Sequence, residues 1–102
     1  MSAILTGVDM VTTTSSSRVK ISGDVLFQEL QGDAVLLDMK TGVYFGLDRV
    51  GTRIWQLLAE ISLISDVVDK MVEEFDVPTQ RCSSDVLDLV ERLREQGLLA
   101  IE

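Results

Sequence analysis

The chain is predicted to be an α+β domain, three short antiparallel strands followed by three helices, on three observations. Residues 24–47 hold apolar runs of strand length, separated by glycine-bearing turn signals. From Asp48 onward the apolar residues recur at three- and four-residue spacing, the helical period. Pro78 and Gly97 stand where helices would begin and end rather than inside them. At 102 residues there is room for one domain, and a hydrophobic content of 46% is enough to give it a core.

Residues 1–17 end in the polar run Thr12 to Ser17, which offers little to bury, so they are expected to form a flexible arm ahead of a folded domain at 18–102. The first strand is read at Asp24 to Gln31, around Val25, Leu26, Phe27 and Leu30, and Gly32-Asp33 signals the turn after it. Ala34 to Asp38 is a short apolar strand. Met39-Lys40-Thr41-Gly42 then reads as a hairpin connection, with Gly42 free to take positive φ. The third strand, Val43 to Leu47, is rich in aromatic and branched residues. Sequential strands joined by short turns make an antiparallel meander.

Asp48 can cap a first helix running to about Ala59, with Val50, Ile54, Leu57 and Leu58 in one stripe and Trp55 beside it. Ile64, Val67, Val68, Met71, Val72 and Phe75 define a second helix, which Ser62 or Ser65 could cap. Pro78 suits the first turn of a third helix, whose buried face would carry Cys82, Val86, Leu89, Val90 and Leu93. Gly97 is its expected stop, and Leu98 to Ile101 form a short extended tail. Three helices beside a small sheet match the winged helix-turn-helix arrangement.

Composition removes several functions. The chain has no histidine, the commonest general base near neutral pH and the commonest metal ligand. Its one cysteine, Cys82, can form neither an internal disulfide nor a cysteine-only zinc site, and it falls on an apolar stripe. Acidic pairs such as Asp66 with Asp69 and Glu73 with Glu74 lie opposite apolar stripes, where solvated faces are the simpler reading. Neither catalysis nor a cofactor is expected. With a net charge of −8, and Asp85, Asp88, Glu91 and Glu95 on the helix that would read DNA, neither nucleic acid nor an anionic membrane is an expected partner. No signal peptide or apolar membrane span is read, and a cytoplasmic location is expected.

Protein recognition remains. A three-stranded meander leaves two edges whose N–H and C=O groups can accept an added strand. The third strand has no lysine, proline or charge to blunt its edge. On the third helix, Val86, Val90 and Leu93 cluster while Leu87 lies about a quarter turn away beside Arg94. That arc fits either an untidy core helix or one side of a peptide groove.

The run from Leu36 to Asp48, LLDMKTGVYFGLD, followed by Gly51, Ile54 and Trp55, resembles the PqqD-like family, the recognition elements that bind leader peptides of ribosomally made, post-translationally modified natural products. The likeness continues through Val68, Phe75-Asp76-Val77, Asp85-Val86 and Gly97-Leu98-Leu99, covering roughly residues 24–100. Asp48 departs from the asparagine frequent in the family, and Ala59-Glu60-Ile61 lacks a glycine often found after the first helix.

The resemblance implies a winged-helix-like fold in which the leader adds a strand to Val43, Tyr44, Phe45, Gly46 and Leu47. On the helix side, the candidates are Val86, Leu87, Val90 and Arg94. Ile54 and Trp55 are assigned to the core. One-residue register changes swap the faces of a strand, so either Tyr44 or Phe45 could face the ligand. A stand-alone domain of this length resembles the one used in lasso-peptide maturation. Its partners would be a precursor leader peptide, a separately encoded cysteine-type leader peptidase and an ATP-dependent cyclase. The alternatives are a peptide carrier in pyrroloquinoline quinone synthesis and a winged-helix DNA-binding regulator. If Val90 lines the groove, Val90→Asp should weaken leader binding and leave the fold intact.

Overall fold

A computed structural model of the chain describes residues 13–102. Its elements are β1 (Val19–Ile21), β2 (Val25–Leu30), β3 (Asp33–Asp38), β4 (Tyr44–Leu47), α1 (Arg49–Ile61), α2 (Ile64–Phe75), α3 (Thr79–Glu95) and β5 (Leu99–Ile101). The predicted three-stranded antiparallel sheet is β2-β3-β4, with β3 in the middle, and the three predicted helices follow it. One feature is additional. β1 and β5 form a separate two-stranded antiparallel ladder, pairing Val19 with Ile101 and Ile21 with Leu99. The extended tail expected at the C-terminus is therefore a paired strand.

Side chains alternate across the sheet as a pleated strand requires. Phe27, Leu36 and Phe45 form one cross-strand row on the inner face, with Ala34 and Leu47 beside it. Leu26, Leu37 and Tyr44 form a row on the outer face. The core lies between the inner face and the helices. Leu36, Leu57, Leu58, Ile64, Val67, Val86, Val90, Leu93 and Leu98 are its fully buried side chains. Burying each contributes about 1.5–3 kcal/mol, so these positions are held firmly.

Local chemistry sets the joints. β2 and β3 are joined through Gln31 and Gly32, both at positive φ (56° and 93°), the geometry that matches the twist of a hairpin. Between β3 and β4, the Asp38 carboxylate accepts hydrogen bonds from the backbone N–H groups of Lys40 (2.9 Å) and Thr41 (3.4 Å). Its own carbonyl accepts from Gly42 N–H at 2.7 Å, and Gly42 takes φ 79° as expected. This buried aspartate therefore shapes the turn that delivers β4.

Asp48 caps α1 as predicted, its Oδ1 accepting from Gly51 N–H at 2.8 Å. Trp55 is buried, whereas Val50, expected in the same stripe, is 44% exposed. Neither Ser62 nor Ser65 caps α2. Leu63 holds the N-cap position without a side-chain bond, and Ser62 ends α1 with φ 73°. The free N–H groups of Ile64 and Ser65 are instead satisfied by the carbonyls of Ser17 (3.1 Å) and Ser15 (2.8 Å). Of the arm expected at residues 1–17, the first twelve lie outside the described residues, and the last five include this backbone cap.

Pro78 sits at the N-cap of α3, one residue before the expected first turn. All five residues predicted for the buried face, Cys82, Val86, Leu89, Val90 and Leu93, are buried. The helix ends at Gly97 (φ 77°), where Leu98 N–H reaches Leu93 C=O and Gly97 N–H reaches Arg94 C=O, each at 3.0 Å. That paired closure needs a left-handed residue, which glycine supplies without strain.

Candidate functional site

β4 pairs only with β3 among the described residues, so its second edge is open. Which groups face that edge follows from the register. Asp38 N–H donates to Val43 C=O at 2.9 Å, and hydrogen-bonded pairs alternate along an antiparallel ladder. Phe45 and Leu47, opposite Leu36 and Ala34, thus spend their backbone groups on β3, while Tyr44 and Gly46 turn theirs outward. Two N–H and two C=O groups stand ready for another strand. Val43 belongs to the turn rather than to β4, and its N–H lies 3.3 Å from Thr41 Oγ1.

The register also puts the two aromatic residues on opposite faces. Tyr44 points from the outer face and is 70% exposed, whereas Phe45 is half-buried on the inner face. A cleft of about 510 Å³ opens beside the inner face. Phe45, Gly46 and Leu47 form its strand wall, Val50 and Ile54 of α1 lie at its base, and Asp85, Asp88, Leu89 and Arg92 of α3 form the opposite wall. An adjoining hollow of about 330 Å³ shares Val50, Ile54 and Asp85 and is lined further by Met71, Phe75 and Val77. Ile54 is a core residue, as expected, but it also borders both hollows.

The helix side differs from the sequence-based choice. Val86 and Val90 are 0% exposed core residues; Val86 also borders the second hollow, and neither lines the cleft beside β4. Leu87 packs half-buried against the core, outside the cleft lining. Arg94 reaches a different neighbour: its Nη1 donates to Glu91 Oε2 and to Thr13 Oγ1, each at 3.1 Å, and Thr13 also donates to Glu91. The reason is helical phase. At 100° per residue, the Val86–Val90–Leu93 stripe faces the core, a stripe through Glu91 and Arg94 meets residue 13, and a third through Asp85, Asp88, Leu89 and Arg92 faces the strand edge. Three of the four members of that third stripe are charged, so apolar periodicity does not mark it. Leu89, apolar with charges a turn away on either side, was the available signal.

The cleft carries net negative charge. Arg92 stands 3.9 Å from Asp88 in an exposed contact, the Asp48 carboxylate is committed to its helix cap, and Asp85 has no ion-pair partner among the described residues. Burial, with a smaller push from Asp85, raises the Cys82 thiol above its ordinary range. The buried sulfur faces Val68 C=O at 3.9 Å and fits the sequence-based reading of a small hydrophobe. Among the described residues, no cluster of acidic or cysteine side chains is arranged to hold a metal ion, and no helix is long and apolar enough to cross a membrane.

A small sheet whose bare β4 edge faces a cleft walled by the third of three helices is the frame of a known class. Residues 33–99 match the family model described as coenzyme PQQ synthesis protein D (PqqD), and the chain belongs to this family. Among solved structures, it is similar to TbiB1 in complex with the TbiA(beta) leader peptide, at 39% identity and a TM-score of 0.74, over 78% of this chain and 93% of that one. The fold is also shared with a lasso peptide synthetase B1 complexed with the leader peptide, at 24% identity and a TM-score of 0.73, over 81% of this chain and 98% of that one. A comparison with curated proteins returns no match.

Proposed function

We propose that this chain binds the leader segment of a ribosomally made precursor peptide and holds it for maturation enzymes, without performing catalysis itself. The observation that carries the reading is the open edge of β4 at Tyr44 and Gly46 beside the cleft walled by α3. The leader adds as an antiparallel strand to that edge, and every second side chain enters the cleft. The complex formed by TbiB1, 39% identical, with a leader peptide supports it.

Energetics explain why the cleft matters. Four new backbone hydrogen bonds contribute about 0.5–1.5 kcal/mol each net. Ordering a flexible peptide offsets much of that gain. Half-buried Phe45 and exposed Val50, backed by buried Leu47, Ile54 and Leu89, therefore supply most of the affinity, by removing apolar side chains of the leader from water. Val43 contributes by shaping the turn, and Val86 and Val90 by seating α3. Leu87 and Arg94 lie outside the cleft and are left out of the site.

The partners that fit this role are a separately encoded cysteine-type leader peptidase and an ATP-dependent cyclase, acting in the cytoplasm. A peptide carrier for pyrroloquinoline quinone synthesis is the second reading, favoured by the description of the family model. Fluorescence anisotropy with labelled leaders separates the two. Saturable binding of a lasso-type leader such as TbiA(beta), and none of a quinone-precursor peptide, supports the first reading; the reverse supports the second. Binding of neither would remove the peptide-carrier reading altogether.

A further inference from the structure

The cleft has a charge as well as a shape, and its wall has an order along α3. Asp85 and Asp88 come first, Leu89 follows, and Arg92 is last. With a rise of about 1.5 Å per residue, this stripe spans roughly 10 Å. Inward-facing residues of an added strand are about 6.8 Å apart, so the stripe meets two successive inward positions. Laid along the helix, one meets Leu89, with Asp88 only about 1.5 Å away in height, and the other meets Asp85, about 6 Å from Leu89.

Arg92 offsets Asp88 at the far end; Asp85 makes no ion pair among the described residues, although Arg81, four residues earlier, borders the adjoining hollow with it, and the whole chain carries −8. An acidic side chain placed at the position opposite Asp85 would meet like charge in a space from which the added strand has displaced water. A basic one would gain a partner that the free protein lacks. Its long methylene stem would also lie along the apolar base at Val50 and Ile54.

We propose that the cleft selects leaders carrying lysine or arginine at the inward-facing position opposite Asp85, two residues from an apolar side chain seated on Leu89. The inference rests on strand addition at β4 and assigns Asp85 as the main determinant of charge preference, with Asp88 second because Arg92 already engages it. Exposed ion pairs are individually weak, and partial burial beneath a bound strand strengthens them. A preference of about tenfold between lysine and glutamate is therefore expected at that one position.

The test uses the full chain and a positional scan of the TbiA(beta) leader, each residue replaced in turn by Lys, Gln and Glu, read by competition anisotropy at low and high salt. The proposal expects one position at which Lys binds about tenfold tighter than Glu, with Gln between them and the difference shrinking in salt. Asp85→Asn should flatten that preference and Asp85→Lys invert it, each read as the ratio of Lys-peptide to Glu-peptide affinity within the variant. Circular dichroism checks that both variants keep their helices. If the scan binds but no position shows a Lys-over-Glu preference that depends on Asp85 or Asp88, the charge proposal is overturned and strand addition stands. If no peptide of the scan binds, strand addition falls and the charge proposal with it.

Discussion

β2 and β4 border the same sheet, yet the two edges differ in what they offer. On β2, the contact between Met39 N–H and Asp24 C=O (2.9 Å) fixes the alternation, so Val25, Phe27 and Glu29 turn their backbone groups outward. Glu29 projects from the inner face of that edge, and its carboxylate accepts from Gln56 Nε2 at 3.1 Å. An inward-side charge of this kind blunts an edge against added strands. On β4, the open groups belong to Tyr44 and Gly46, no charge intervenes, and α3 stands alongside to form a cleft. A bare edge becomes a site only when a second wall gives the added strand somewhere to put its side chains.

The largest test strikes the wall. Val90→Asp would place an unpaired carboxylate at a fully buried position, at a cost of roughly 3–5 kcal/mol, a large part of the stability of a small domain. Urea unfolding followed by circular dichroism should show the loss. A folded variant that merely binds peptide more weakly would return Val90 to the groove.

A matched pair of proline substitutions tests the edges themselves. Gly46→Pro removes an outward N–H from β4 and should weaken leader binding at least about tenfold, because proline on an edge strand spares the internal ladder. Glu29→Pro does the same to β2 and should leave binding unchanged. Calorimetric titration of both variants would show whether the edges are unequal, and equal losses would refute it.

A smaller effect is expected at Asp38, whose carboxylate shapes only the turn leading into β4. Asp38→Ala should cost about 1–2 kcal/mol and loosen β4 while leaving the β2 edge as it is. Amide exchange resolved by residue would detect this as faster exchange on the β4 side alone. Smallest is the pair Arg53–Glu74, two hydrogen bonds of 2.8 Å at side chains about one-third exposed, linked through Gln56 to the β2 edge and outside the lining of the β4 cleft. The Arg53 guanidinium, chiefly through its hydrogen bonds, holds the Glu74 carboxyl below its ordinary value. The associated stability is present above the unfolded carboxylate value and is lost as pH falls through the lower folded one. At this exposure it amounts to about 0.5 kcal/mol, and a double-mutant cycle should return that figure with no change in leader binding.

Strands β2 to β4 and all three helices were legible because their signals are local: apolar runs, turn residues and stripes of helical period. The Asp48 cap and the Gly97 stop were legible for the same reason. β1 was not, because Val19-Lys20-Ile21 is three residues long and its stability comes from β5, about eighty residues away. The backbone cap that Ser15 and Ser17 provide for α2 is equally non-local. At the proposed site, the strand half rests on the local run Val43 to Leu47 and its resemblance to the family. The helix half depended on which way α3 is rotated, and that is settled by how Val86, Val90 and Leu93 pack, not by the pattern of one helix.

Amide hydrogen exchange by NMR, with and without a saturating leader peptide, addresses the unequal edges most directly. Slowed exchange at Tyr44 and Gly46, with Val25, Phe27 and Glu29 unaffected, is the predicted result. Slowing at the β2 amides instead, or bound peptide with no change at Tyr44 and Gly46, would contradict strand addition at β4.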